Sequence, residues 1–215
     1  MNKLAEYMIA TPARRRGIIR DQKQPLDFVV SRYSAVYDGV VECLLSGNDI
    51  APIKNRIKTL YEATPKTTWQ AQDFQLSVEA LESFLSFVDE VELSTFVVQR
   101  AGDPSPTMRI SGVDVSVRPE LLLRSAGPGP PVGAVKVYVS KHFPFDDKSG
   151  SYAGVILHQY VSDLLSTEKV VDPRSSFVIA VFQRRIYVAP RAFKKRRADI
   201  SAACEEIAQR WTAIK

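Results

Sequence analysis

Alternation of apolar and polar positions is strongest over residues 113–123 and 133–140. In the first run Val113, Val115, Val117 and Leu121 point one way, and Asp114, Ser116, Arg118 and Glu120 the other. In the second, Val135, Val137 and Val139 share one face and Lys136, Tyr138 and Ser140 the opposite one. A period of two marks half-buried antiparallel strands. Read as a hairpin centred near Pro128, with 124–132 as its loop, the two runs set Glu120 opposite Lys136. That juxtaposition is either an ordinary cross-strand ion pair or part of a metal-dependent phosphodiesterase site.

Elsewhere the period is helical. From Asp27, the positions Phe28, Arg32 (through its stem), Val36, Val40 and Leu44 recur at three- and four-residue spacing, flanked by Tyr33, Tyr37 and Val41, and Gly47-Asn48 follows as a stop. A second helix is predicted over 52–61, with Ile53, Ile57 and Leu60 on one side and Pro52 in its first turn. Residues 63–72 are polar, contain Pro65 and read as a connection. Ser77 then serves as the N-cap of a helix to about Glu90, with Val78, Leu81, Phe84, Leu85 and Val88 inward. Strands are predicted over 93–99 and 107–111, around the turn Gly102-Asp103-Pro104, ahead of the central hairpin. A helix over 151–165 follows, then a strand pair over 177–182 and 186–189 turning at 183–185. A last helix, capped by Asp199, aligns Ile200, Cys204, Ile207, Trp211 and Ile214. The expectation is an α/β (α+β) chain: a helical N-terminal region over 1–72 and a mixed sheet with flanking helices over 73–215.

Composition narrows the class. At 45% hydrophobic and 25% charged residues, the 215-residue chain has the make-up of a water-soluble globular protein with a full core. No apolar run approaches the roughly 20 residues of a membrane span, and residues 1–11 lack the apolar centre of a secretory signal. Cys43 and Cys204 stand far apart without metal-ligand spacing, which predicts buried thiols in a reducing cytoplasm. Two histidines, His142 and His158, do not by themselves make a zinc site.

The net charge of +5 is unevenly spread. Arg14, Arg15, Arg16 and Arg20 form one basic cluster, and Arg191, Lys194, Lys195, Arg196 and Arg197 another. Between Lys66 and Arg100 there is no cation, whereas Asp73, Glu79, Glu82, Asp89, Glu90 and Glu92 fall there. Two basic clusters fit a polyanion-binding face, although a charge run also serves simply as solvated surface. Arg184 and Arg185, in the predicted turn beside the second cluster, would extend a track for a phosphate backbone. The glycines of Gly127-Pro128-Gly129-Pro130-Pro131 do not form a phosphate cradle, because the prolines remove the amide donors it would need.

Metal-assisted phosphodiester hydrolysis requires carboxylates for Mg²⁺ and a cation or base beside them. Arg118-Pro119-Glu120 on one strand and Gly133-Ala134-Val135-Lys136 on the next, within the order helix, strand, strand, hairpin, helix, strand, resemble the PD-(D/E)XK nuclease superfamily over about 73–189. The resemblance implies a restriction-endonuclease-like core, a nucleic acid (DNA or RNA) as partner and Mg²⁺ as cofactor. Glu120 matches the first acid and metal ligand, and Lys136 the catalytic lysine. Glu82 or Glu79 on the preceding helix would supply a further acid, and a host-defence role is compatible with the family. Ala134 departs from the motif, which has Asp or Glu there. Some members move an acid elsewhere, and others lose catalysis and keep the fold for binding. Two further readings follow: a non-enzymatic nucleic-acid-binding or assembly subunit on the same scaffold, and a protein-binding adaptor using the acidic helix.

The remaining candidates read as structural. Glu82 falls on the solvent side of its helix. Asp114 lies about 20 Å along an extended strand from Glu120, too far to share a metal. His142 is either hydrogen-bonded to Asp114 or exposed, and His158 is a packing histidine.

Overall fold

The computed structural model describes residues 1–24, 32–168 and 170–214. Helices α1 (Asn2–Ile9), α2 (Pro12–Lys23), α3 (Ser34–Leu45), α4 (Ala51–Glu62) and α5 (Thr68–Leu85) precede the strands β1 (Val97–Arg100), β2 (Met108–Ile110), β3 (Val113–Val115), β4 (Leu121–Arg124) and β5 (Gly133–Tyr138). After these come α6 (Asp147–Tyr160), β6 (Ser176–Ala180), β7 (Arg185–Val188) and α7 (Phe193–Trp211). Five strands form one mixed sheet in the order β1-β4-β5-β6-β7. Neighbours are antiparallel except β5 and β6, which run parallel with α6 as the crossover between them. Strands β2 and β3 make a separate antiparallel ribbon. The chain is therefore α+β with a mixed sheet flanked by helices.

Alternation along the strands divides the core in two. Leu121, Leu123, Val135, Val137 and Ile179 pack under α3, α4 and α5. Ala134, Tyr138, Val178 and Tyr187 pack under α1, α2, α6, α7 and the β2–β3 ribbon. Burying a sheet on both faces between helices gives three layers. The helices that precede residue 73 divide between the two faces.

Several sequence expectations change in the folded chain. The run 113–123 is two strands, because Arg118 takes a left-handed φ of 47° ahead of Pro119 and the chain there passes from the ribbon to the main sheet. Residues 93–99 and 107–111 do not pair with each other: β1 joins β4 and β2 joins β3. Ser77 is not a cap but a buried residue inside α5, whose true cap is Thr67; its hydroxyl accepts from the Gln70 amide at 3.1 Å. The stretch 63–72 thus contributes the first turns of α5, which ends at Leu85 ahead of a short 3-10 turn at Val88–Glu90. The first long helix begins at Ser34, and the positions Asp27 and Phe28 lie outside the described residues. Asp199 lies inside α7, which starts at Phe193. Helices α1 and α2 had no counterpart in the pattern. At α6, Asp146 and Ser149 form a capping box, with the Asp146 carboxylate accepting from the Ser149 amide at 2.7 Å. The helix is continued by a π-helical turn at Val161–Leu165.

Candidate functional site

Strand β5 is the middle strand, buried on both faces along most of its length, and Lys136 is its one charged residue. The β4–β5 register is Leu121↔Val135, Leu122↔Ala134 and Leu123↔Gly133, and Glu120 precedes its first pair. There the Glu120 amide donates to the Val135 carbonyl at 2.9 Å, and the Glu120 carbonyl accepts from Ala101 at 2.9 Å. Glu120 and Lys136 meet through their side chains just before β4, where the bond from the Glu120 amide to Val135 interrupts the regular ladder. The Lys136 ammonium donates to Glu120 Oε1 at 2.5 Å and to the Arg118 carbonyl at 2.8 Å. The second carboxylate oxygen, Oε2, accepts from the Val137 amide at 2.6 Å. The left-handed turn at Arg118 is what aims its carbonyl at Lys136.

The pair is mostly hidden, with the Lys136 and Glu120 side chains 12% and 16% exposed. Burial pushes the Glu120 carboxyl above the usual carboxylate range, against the opposing pull of the Lys136 ammonium and the Val137 amide. Burial, followed by the Glu120 charge, pushes the Tyr37 phenol on α3 up to about 12. In the sequence pattern Tyr37 stands only as a flank of the α3 stripe.

A hard cation such as Mg²⁺ needs several oxygen ligands. Both Glu120 oxygens are already committed to Lys136 and Val137, and Ala134, at 0% exposure, brings no oxygen. Glu82 lies on the exposed side of α5, a helix of the other layer, and Glu79 is held by Lys141 at 2.5 Å. Asp114 sits on the separate ribbon, paired with Arg109 at 3.6 Å. Among the described residues no three Asp, Glu, His or Cys side chains converge. The donor set around Glu120 does not fit Mg²⁺.

The basic residues sort by their partners. Arg14 bridges to the buried Glu6 at 2.5 Å and to Asp21 at 3.4 Å, and Arg15 pairs with Glu206 at 3.2 Å while lying over the Tyr7 ring. These two arginines tie α2 to α1 and α7. Arg197 pairs with Asp163 at 3.2 Å and covers Phe193, and Arg196 lies 6.0 Å over the Tyr152 ring. Arg185 pairs with Asp147 at 3.4 Å, and Arg184, at a φ of 52°, points its Nε toward Ser83 Oγ at 3.4 Å. Arg16, Arg20, Arg191, Lys194 and Lys195 are exposed and have no acid partner among the described residues. Since Arg15 touches Glu206, α2 lies beside the far half of α7. At 1.5 Å per residue, the Lys194–Lys195 end is about 16–18 Å away along that helix.

His158 is 1% exposed, as expected of a packing histidine. Its Nε2 lies 3.1 Å from the Val171 carbonyl, which only accepts, so the ring proton sits on Nε2 and Nδ1 faces Arg197 at 3.5 Å. His142 is exposed and does not meet Asp114, which belongs to the ribbon. Cys43 and Cys204 are free and buried, and burial pushes both thiols up to about 11. No described helix is long and apolar enough to cross a membrane. The chain has no significant match among protein-family models, curated proteins or solved structures.

Proposed function

We propose that this protein binds nucleic acid through the α2/α7 layer, on a PD-(D/E)XK-like core whose Glu120–Lys136 pair serves structure rather than hydrolysis. The observation that carries the reading is the set of exposed cations without acid partners among the described residues, Arg16 and Arg20 on α2 and Lys194 and Lys195 at the start of α7. Three basic residues in the first turn of α7, Lys194, Lys195 and Arg196, oppose the helix dipole, which is tolerable where an anion supplies the compensating charge. The order α5, antiparallel β1-β4-β5, α6 and parallel β6 supports the nuclease-like core.

A metal-dependent nuclease is the second reading, favoured by the direct contact of the Glu120 carboxylate with the Lys136 ammonium. Against it stand Ala134 and a carboxylate whose two oxygens are already hydrogen-bonded. The test is to incubate the full chain with labelled single- and double-stranded DNA and RNA, with and without Mg²⁺ or Mn²⁺, and to follow binding and cleavage together. Binding that needs no metal and leaves the strands intact is the expected result. Cleavage abolished by Glu120→Gln and by Lys136→Ala would replace this reading with the second.

A further inference from the structure

We propose that the free edge of β1 is a self-association surface, along which two copies of the chain pair antiparallel about a two-fold axis and join their sheets into one. Strand β1 ends the main sheet and pairs only with β4. One step beyond it, the Ala101 amide donates to the Glu120 carbonyl at 2.9 Å. Main-chain groups alternate in direction along an antiparallel strand, so Gln99 and Val97 also face β4, and Val98 and Arg100 turn their N–H and C=O groups outward. Those outward groups meet no partner among the described residues, whereas the amide of Phe96, the next outward residue, donates to the Leu93 carbonyl at 2.9 Å. An edge with such open groups is a template for another strand.

The charges at its two ends name the strand. Asp89, Glu90 and Glu92, ahead of β1, are exposed and pair with no cation among the described residues. Arg100, at the far end, is exposed and pairs with no acid there. An edge that is acidic at one end and basic at the other is complementary to its own antiparallel copy, and the two-fold axis makes each contact twice. The opposite edge of the sheet, β7, lacks this match, because its exposed Arg185 already pairs with Asp147 at 3.4 Å.

Pairing centred on Gln99 matches every outward N–H of Val98 and Arg100 with a C=O and sets Arg100 of one copy opposite Val98 of the other. The two side chains share a face, since they stand opposite Leu121 and Leu123, which both pack under α3, α4 and α5. On that face Val98 lines a groove of about 320 Å³ together with Leu45, Phe96, Asp89 and Glu92. Each Arg100 therefore brings its guanidinium to the acidic rim of the other copy's groove and its stem to the apolar floor. On the opposite face Val97, 51% exposed, comes beside Ala101 of the other copy.

The experiment follows the mass of the full chain by sedimentation equilibrium from micromolar to millimolar concentration, with hydrogen exchange of the Val98 and Arg100 amides measured at both ends of the range. The expected result is a monomer–dimer equilibrium in which both amides become protected as the dimer forms. Arg100→Glu and Glu92→Lys, each at an exposed position, set like charges together at both ends of the interface and should weaken dimerisation at least about tenfold. Mixed in equal amounts, the two variants present opposite charges at both ends, and a heterodimer should form with close to the affinity of the unmodified pair. A chain that stays monomeric to millimolar concentration overturns the proposal and leaves the edge to a strand from another protein. A dimer in which the two amides exchange freely, or which neither reversal weakens, uses another face and also overturns it. An open series of larger assemblies, or no recovery in the mixture, contradicts the two-fold pairing.

Discussion

Glu120 and Lys136 face each other across the β4–β5 hairpin with 2.5 Å between Oε1 and Nζ, and the second carboxylate oxygen is closed off by the Val137 amide. Lys136 also donates to the Arg118 carbonyl. The three contacts together join the middle strand, the end of the turn at Arg118 and the start of β4. Such a set fixes register in the centre of a sheet, where a slip of one residue would turn every side chain to the wrong face.

Removing one partner leaves the other charge nearly buried and unpaired. Lys136→Met is therefore expected to destabilise the fold by about 3 kcal/mol. Urea unfolding checks this, and a loss below about 1 kcal/mol would place the pair among ordinary surface ion pairs.

The raised carboxyl of Glu120 gives a signed pH effect. A group whose pKa is higher in the fold than in the unfolded chain contributes stability that is complete below the unfolded value and is lost as pH rises through the folded one. Compared with Glu120→Gln, the unmodified protein should lose stability on going up from about pH 4, the ordinary carboxylate range, through the raised value. Parallel urea titrations across that window measure the difference.

His158 predicts the opposite slope. Burial, with the Arg197 charge as a lesser cause, lowers its pKa against the pull of its Val171 hydrogen bond and of Asp163 and Asp172. The unfolded chain thus binds the proton more readily, and stability should fall as pH drops below about 6.5 toward the folded value. His158→Gln should flatten that fall, as urea titrations from about pH 5 to 7 would show.

Ala134→Glu completes the acidic motif on paper, but Ala134 has 0% exposure and lies between Leu122 and Ser176 in the sheet. A carboxylate forced into that position is expected to destabilise by several kcal/mol, on the order of 3, and to produce no cleavage. Thermal unfolding and a nuclease assay with Mn²⁺ on the same preparation decide both halves of the prediction.

The parts of this fold that were legible in the sequence are those where one signal acts alone. The symmetric loop 124–132 points to the β4–β5 register Leu121↔Val135 that the strands adopt, although the longer strand around Glu120 is broken at Arg118. That break was written in Arg118-Pro119, since a residue before proline is already restricted, yet the alternation of Val113, Val115 and Val117 masked it. Helix α2 is rich in arginines, of which Arg14 and Arg15 meet Glu6 on α1 and Glu206 on α7, so its stability is tertiary and left no periodic apolar stripe beyond Ile18 and Ile19. The start of α7 was hidden for a related reason: a basic first turn without a side-chain cap is unfavourable by itself, which made Asp199 look like the better beginning.

The most direct test of nucleic-acid binding by the α2/α7 layer is the salt dependence of affinity for a single-stranded oligonucleotide, compared between the unmodified chain and the triple substitution Arg16→Glu, Lys194→Glu, Lys195→Glu. None of the three cations has an acid partner among the described residues, so the fold should tolerate the change. If each contacts a phosphate, the slope of log K against log salt should become shallower by about 2, with a large loss of affinity at low salt. An unchanged slope and affinity would contradict the proposal and assign these cations to the solvated surface.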